Sequence, residues 1–148
     1  METTTTTGAK ALETTPAGPG LGDKAAKHSE ALSVVMLRYY DLIDQEKIDE
    51  VLSLFSKTAT YRRCEQLYDG IAEIEDFYRN GRKIRGRHEI MSHWVSGQTG
   101  IVEGVFRGKG LNDSPKDVGF ADFFTFDREG KICDRHTYLM IGSSYVKE

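Results

Sequence analysis

The sequence is poor in cysteine. Its 148 residues include only Cys64 and Cys133. One pair of cysteines builds no disulfide framework, and the distance between them along the chain does not match the short spacing of zinc ligands. We therefore expect two half-buried thiols in a reducing compartment, and we predict a cytoplasmic protein without a metal site.

Long apolar runs are also missing. No segment approaches the roughly 20 apolar residues of a membrane-spanning helix, and the N-terminus lacks the basic-then-apolar pattern of a secretory signal. Neither sign of charge dominates, since 20 basic and 23 acidic residues leave a net charge of −3. Such a chain has no overall attraction for nucleic acid or for an anionic membrane, so we expect neither as a partner. The composition, with 39% hydrophobic and 29% charged residues, is that of one globular domain.

The first 27 residues differ from the rest of the chain. They are rich in Thr, Gly and Ala, they hold two of the three prolines, and they show no apolar periodicity. We predict a disordered tail over residues 1–27 and a folded domain over residues 28–148.

The order of the secondary structure indicates the fold class. Apolar residues recur at steps of three and four from Ser29 to Ile43, which predicts a helix capped by Ser29. A second, shorter helical pattern follows Asp44 and extends as far as Phe55. A third begins at about Gly70. Strand patterns lie near 59–63, 87–96, 99–107, 118–126 and 131–141. Because helices come first and strands last, the sequence predicts an α+β fold, with helices packed on a curved, mostly antiparallel sheet.

One carboxylate interrupts an apolar strand pattern, in the run Phe120-Ala121-Asp122-Phe123-Phe124. Alternate residues of a strand share a face, so Asp122 lies with Phe120 and Phe124 on an apolar face. An ionised carboxylate there needs a proton, a cation or a cavity, and each of these is common at functional sites. Asp122 is therefore the first candidate for a catalytic acid or base.

The partner of Asp122 depends on the register of the last hairpin. If Phe126 and Lys131 close the Asp127–Gly130 loop, Asp122 stands directly opposite Arg135. A slip of one residue places His136 there instead. The first register gives a buried ion pair or a weak base, whereas the second lets Asp122 orient an imidazole as general base.

Other polar and aromatic residues have two interpretations each. His88 and His93 are spaced wrongly for a helical zinc motif, and as strand residues they point to opposite faces. His88 could line a pocket or fill the core. Trp94, the only tryptophan, suits sheet packing, a dimer contact or substrate binding, and the hydroxyls of Tyr39 and Tyr61 need partners if they are buried.

A basic run follows the third helical pattern. Its members are Arg79, Arg82, Lys83, Arg85 and Arg87, with Arg62 and Arg63 upstream. The simpler interpretation is a solvated helix end. The alternative is a positive rim that receives an anionic substrate tail or an acidic partner such as an acyl carrier protein.

Several short motifs together resemble a known family. In chain order they are Arg38-Tyr39-Tyr40-Asp41-Leu42-Ile43-Asp44, Leu54-Phe55 with Ala59-Thr60-Tyr61, Gly70 before Phe77-Tyr78, Gly86-Arg87-His88, and Phe120-Ala121-Asp122-Phe123-Phe124 before Gly130-Lys131-Ile132. Their order and spacing resemble the SnoaL-like branch of the ketosteroid-isomerase-like superfamily, also called nuclear-transport-factor-2-like. The resemblance implies a cone of curved sheet around a long helix, an apolar pocket, and frequent homodimers.

The resemblance also implies roles for single residues. The steroid isomerases have a tyrosine in the first helix, which matches Tyr39, and an acid in a late strand, which matches Asp122. The position of their catalytic carboxylate base, however, falls on Arg63. Because a guanidinium cannot abstract a proton at ordinary pH, we do not expect steroid-isomerase chemistry. The expected function is cofactor-independent acid–base chemistry, such as cyclisation, isomerisation, dehydration or epoxide opening, on a hydrophobic, oxygenated, polyketide-like molecule.

The candidate residues form two groups. The catalytic candidates are Asp122, Tyr39, Arg63, His88, Arg135 and His136. The substrate-binding candidates are Tyr61, Phe120, Phe124, Trp94 and Tyr78. The alternative function is a non-catalytic module of the same fold that binds a small ligand or dimerises.

Overall fold

A computed structural model describes residues 21–146 of the chain. Helix α1 spans Leu21–Asp44 and α2 spans Ile48–Ser53, while α3, Ile71–Asp76, continues as a turn of π-helix over Phe77–Gly81. The strands are β1 Phe55–Arg63, β2 Gln66–Asp69, β3 Arg85–Ser96, β4 Thr99–Lys109, β5 Pro115–Phe126 and β6 Ile132–Leu139. Short 3₁₀ turns cover Leu111–Asp113 and Ser143–Val146.

The six strands form one curved, unclosed sheet in the order β2-β1-β6-β5-β4-β3. The β1–β6 pair is parallel, and the other four pairs are antiparallel. The helices cover one face, which confirms the predicted α+β class. No helix within residues 21–146 is both long and apolar enough to cross a bilayer.

Helix α1 supplies much of the core. Its buried side chains include Leu32, Met36, Tyr39 and Ile43, which recur at the predicted steps of three and four. Glycine in the sheet lets the helix come close, because a Cβ on Gly100 would lie 2.2 Å from the sulfur of Met36. The helix therefore rests directly on the inner face of the sheet.

The structure differs from the predicted elements in two helix boundaries and one additional strand. Helix α1 begins at Leu21 rather than at Ser29, so residues 21–27 of the predicted tail are helical; residues 1–20 lie outside the described residues. Helix α2 ends at Ser53, and Phe55 begins strand β1 instead of closing the helical face. Strand β2, a short edge strand, has no counterpart among the predicted strands.

Both predicted registers of the last hairpin are wrong. Asp122 pairs with Thr137, whereas Arg135 stands opposite Phe124 and His136 opposite Phe123. Two one-residue shifts explain the difference. The loop closes on Asp127, whose N–H donates to the Lys131 carbonyl at 2.9 Å, and Cys133 is then left unpaired as a bulge.

The predicted face of Asp122 is nevertheless right. Phe120, Asp122, Phe124 and Phe126 are all buried, while Phe123 is exposed on the other side of the sheet. Arg135 lies two residues from Thr137 and so shares the inner face with Asp122 as a diagonal neighbour. The long arginine side chain spans that diagonal.

Candidate functional site

A cavity of about 280 Å³ lies between the inner face of the sheet, the C-terminal half of α1 and the π-helical turn. It is close to the lower end of the range of small-molecule sites, about 300–1,000 Å³. Its apolar and aromatic lining consists of Tyr39, Ile43, Tyr61, Phe77, Tyr78, Ile84, Phe106, Val118, Phe120 and Leu139. Its charged and polar lining consists of Arg63, Arg82, Lys83, His88, Asp122, Arg135 and Thr137.

Asp122 is fully buried and holds three hydrogen bonds. Its Oδ2 accepts from the Tyr40 hydroxyl at 2.5 Å and from Arg135 Nη2 at 2.8 Å. Its Oδ1 accepts from the hydroxyl of Thr137. These donors satisfy both oxygens and compensate the charge, as a buried carboxylate requires.

Arg135 is held between aromatic rings. Its guanidinium carbon lies 4.4 Å from the ring centre of Tyr39 and 4.7 Å from that of Tyr61, within cation–π range. Its Nη1 donates to the Tyr78 hydroxyl oxygen at 3.3 Å. The guanidinium thus joins Asp122 to the tyrosines of the cavity wall.

Tyr39 and Tyr78 share a single hydrogen bond, with their hydroxyl oxygens 2.6 Å apart. One of the two hydroxyl protons forms that bond, and the other makes no hydrogen bond to the described residues. Burial raises the pKa of both tyrosines well above the ordinary value, so both remain protonated at neutral pH. Since both residues line the cavity, the pair can donate one hydrogen bond to a ligand oxygen.

His88 forms the second polar group of the cavity. Its Nδ1 lies 2.6 Å from Oδ1 of Asp44 at the end of α1, and its backbone N–H donates to Oδ2 of the same carboxylate at 2.9 Å. Asp44 therefore holds the proton of the neutral imidazole at Nδ1. This leaves Nε2 with the lone pair, and Nε2 makes no hydrogen bond to the described residues.

Aromatic contacts place His88 close to the Asp122 network. The ring of Tyr40 lies 5.1 Å from the rings of both His88 and Tyr39. The rings of Phe106 and Phe120 complete the surroundings of the imidazole, at 4.9 and 5.3 Å. The histidine is thus fixed in an aromatic wall of the cavity.

We call Arg63, Arg82 and Lys83 the basic rim. Arg63 stands 5.9 Å from the ring centre of Phe77. A Cβ added to Gly81, which precedes Arg82, would lie 3.2 Å from the same ring. Most of the remaining basic run is paired on the surface: Arg79 with Asp49 and Glu75, Arg85 with Glu46, and Arg87 with Glu89.

The structure brings most of the predicted site residues together. Asp122, Tyr39, Arg63, His88, Arg135, Tyr61, Phe120 and Tyr78 all line the cavity. Phe124 is buried beneath the cavity, against Tyr39. No cluster of three or more potential metal ligands occurs within the described part of the chain.

Two candidates lie elsewhere. Trp94 and His136 belong to one cross-strand row on the outer face, Trp94-Ile101-Phe123-His136. The side chain of Trp94 is 54% exposed. Neither residue reaches the cavity, because each is out of phase with the inward-facing positions of its strand.

Three important residues of the site were not identified from the sequence. Tyr40 and Thr137 bind Asp122, and Asp44 binds His88. The signal for Tyr40 was its place beside Tyr39 on an apolar helix, and the signal for Thr137 was its place two residues after Arg135. Nothing in the sequence around Asp44 indicates that it binds His88.

The comparisons agree with this fold. A family model described as the SnoaL-like domain matches residues 36–135. No curated protein matches the sequence significantly. Similar solved structures include SalBIII, an epoxide hydrolase/cyclase-like enzyme in pyran ring formation of the polyether salinomycin, with a TM-score of 0.69 and 15% identity over 76% of this chain and 92% of that one.

Two further structures have the same fold. A Shewanella putrefaciens CN-32 protein, named as a SnoaL-like polyketide cyclase, has a TM-score of 0.66 and 11% identity, over 73% of this chain and 88% of its own. A Catenulispora acidiphila DSM 44928 protein with a ketosteroid isomerase-like fold, in complex with trimethylamine, has a TM-score of 0.63 and 17% identity, over 70% and 83%. The chain belongs to the SnoaL-like domain family.

Proposed function

We propose that the protein is an enzyme that moves protons on a small, hydrophobic, oxygenated substrate, with His88 as the general base and acid. The observation that carries this proposal is that His88 lines the cavity while its Nδ1 lies 2.6 Å from Oδ1 of Asp44. A fixed imidazole with a free lone pair is the usual arrangement of a general base. A polyketide-like substrate is in keeping with the names of the similar structures.

Asp122 is a weaker candidate for the proton transfer. Three donors satisfy its oxygens, and one of them is a guanidinium that does not lose its proton. To act as a base, the carboxylate would have to give up at least one of these bonds. We therefore assign Asp122 a positioning role, in which it fixes Arg135 and Tyr40.

The remaining polar groups complete the proposed reaction. Nε2 of His88 takes a proton from a carbon next to a substrate carbonyl, and Asp44 stabilises the resulting imidazolium. The spare hydroxyl proton of the Tyr39–Tyr78 pair binds the enolate oxygen, with the Arg135 charge behind it. His88 then returns the proton to another atom of the substrate, which gives isomerisation, ring closure or loss of water according to the substrate.

The reaction can be tested before the substrate is known. The probe is 2-tetralone in deuterated water, because loss of its α-proton signals by NMR reports proton abstraction directly. Native mass spectrometry of the purified protein then searches for a bound natural compound to use in the same assay.

His88→Gln keeps the size and polarity of the side chain but removes the base. We expect a rate at least roughly 10²-fold lower with unchanged folding. Asp44→Asn should also slow exchange, because it no longer holds the Nδ1 proton. Arg87→Gln is the matched control on the same strand, since Arg87 does not line the cavity, and its rate should stay at the wild-type level. Equal rates for wild type and His88→Gln would contradict the proposal.

A second function is a non-catalytic ligand-binding module. The observation in its favour is the Asp122–Arg135 pair. Both carboxylate oxygens of Asp122 accept hydrogen bonds, as in a structural ion pair. This function predicts that a bound compound is recovered unchanged and that wild type and His88→Gln bind it without proton exchange.

A further inference from the structure

The charges around the cavity are unequal. Four permanent cations line it, namely Arg63, Arg82, Lys83 and Arg135, whereas Asp122 is its one lining carboxylate within the described residues. Asp122 is committed to Arg135 at 2.8 Å. The imbalance therefore falls on the basic rim.

Ion pairs neutralise the basic rim only in part. Glu46 is shared, because its Oε1 lies 3.1 Å from Arg82 Nη1 and 3.2 Å from Arg85 Nε. Asp44 is engaged by His88. Neither Arg63 nor Lys83 forms an ion pair with the described residues.

Arg82 adds hydrogen-bond donors that lack an acceptor among the described residues. Its side chain is only 10% exposed, and its buried Nη2 has no hydrogen-bond acceptor among the described residues. A buried guanidinium nitrogen without an acceptor is unfavourable, so the free energy of the site falls when an anion approaches it.

The rest of the cavity requires an apolar ligand body. Beyond the rim the wall consists mainly of aromatic and aliphatic side chains, such as Phe77, Phe106, Val118 and Leu139. A fully ionic or sugar-like ligand would lose hydration there without compensating hydrogen bonds. The ligand that fits both regions has an apolar body and one anionic end.

We propose that the substrate is a hydrophobic carboxylic acid, whose carboxylate binds at the basic rim while its apolar part lies against the aromatic wall. Planar guanidinium groups match a carboxylate. A phosphate can use the same guanidinium groups, but it would gain no helix N-terminal N–H groups at this rim, because Arg82 and Lys83 follow the C-terminal end of the π-helical turn. The inference rests on the proposed function only in treating this cavity as the substrate site.

The test compares four ligands that share one ring system: 2-naphthaleneacetate, its amide, 2-naphthylethylamine and 2-naphthyl phosphate. Binding to the full chain is measured by isothermal titration calorimetry at low salt. We expect the carboxylate to bind about tenfold more tightly than the amide, which corresponds to about 1.4 kcal/mol, and the amine to bind most weakly.

The variants Arg63→Gln and Lys83→Gln locate the effect. Each variant should reduce the preference for carboxylate over amide several-fold while the amide affinity stays constant. The control is Arg87→Gln, because Arg87 is 74% exposed and does not line the cavity. This control should leave the preference unchanged. Equal or undetectable binding of carboxylate and amide overturns the proposal, as does tighter binding of the phosphate. A preference that survives both rim variants also overturns it.

The outcome is independent of turnover. His88→Gln should keep the preference for the carboxylate even though it loses proton exchange. If the preference is present but His88→Gln remains fully active, the proposed function fails and the carboxylate site stands. If the preference is absent and His88→Gln is inactive, the carboxylate site fails and the proposed function stands.

Discussion

Asp122→Asn separates the structural role of the buried pair from a catalytic one. The substitution keeps the shape of the side chain but removes the charge that balances Arg135. It also places an amide among three groups that donate hydrogen bonds to Asp122 in the wild-type protein. Asparagine has one acceptor oxygen for these groups, so at least one buried donor loses its partner.

The expected loss of stability follows from these contacts. A hydrogen bond to a charged group contributes about 1.5–3 kcal/mol, and Asp122 accepts such bonds from Arg135, Tyr40 and Thr137. Breaking a buried pair from one side costs about 3–5 kcal/mol, because the remaining charge is left without compensation. For a chain of this length that corresponds to a fall in Tm of roughly 6–20 °C.

Urea unfolding of wild type, Asp122→Asn, Arg135→Met and the double variant measures this directly. The double variant should be more stable than the sum of the single losses predicts, because neither charge is then stranded. Glu89→Gln is the matched surface control: Glu89 also receives two arginine contacts, at 3.1 and 3.0 Å, but it is solvated, so its unfolding midpoint should not change. A loss below about 1 kcal/mol in Asp122→Asn would refute the reasoning.

Turnover on the same variant completes the comparison. While it is folded, Asp122→Asn should retain more proton exchange than His88→Gln. A variant of unchanged stability whose exchange rate has fallen roughly 10²-fold would instead assign the proton transfer to Asp122.

Two further predictions concern alkaline pH and assembly. Burial raises the pKa of Tyr39, Tyr40 and Tyr78 above the unfolded value of 10.0, so their contribution to stability is complete below about pH 10 and falls as the pH rises beyond it. Urea midpoints at increasing alkaline pH should show this decline, less steeply for Tyr78→Phe; a flat profile would contradict it. We also propose a homodimer through the outer sheet face, where Phe123 and Tyr138 are 39% and 52% exposed with their rings 5.6 Å apart. Phe123→Asp should convert the dimer to a monomer in analytical ultracentrifugation, and a monomeric wild type at micromolar concentration would rule the interface out.

The sequence predicted the face of Asp122 better than its contacts. The inward position of Asp122 follows from strand parity alone, which tolerates errors in the strand ends. Its partner depends on where the loop closes and on the bulge at Cys133, and no side-chain pattern marks either shift. Arg135 was identified correctly from a wrong register, because a long side chain reaches a diagonal neighbour.

The His88–Asp44 pair could not be predicted in the same way. Asp44 ends α1 and His88 lies near the start of β3, so their contact depends on how far the helix extends across the sheet. The distinction between Tyr39 and Tyr40 depends likewise on the rotation of α1, since both are buried. Helical periodicity predicts the buried stripe but not which of two adjacent hydroxyls meets the carboxylate.

The most direct test of the central claim is the tautomer of His88, measured by long-range ¹H–¹⁵N NMR on ¹⁵N-labelled protein at a pH where the ring is neutral. The structure predicts a proton on Nδ1, held by Asp44, and an unprotonated Nε2 available to the cavity. In Asp44→Asn this preference should be lost. A proton found on Nε2 in the wild-type protein would contradict the assignment of His88 as the base.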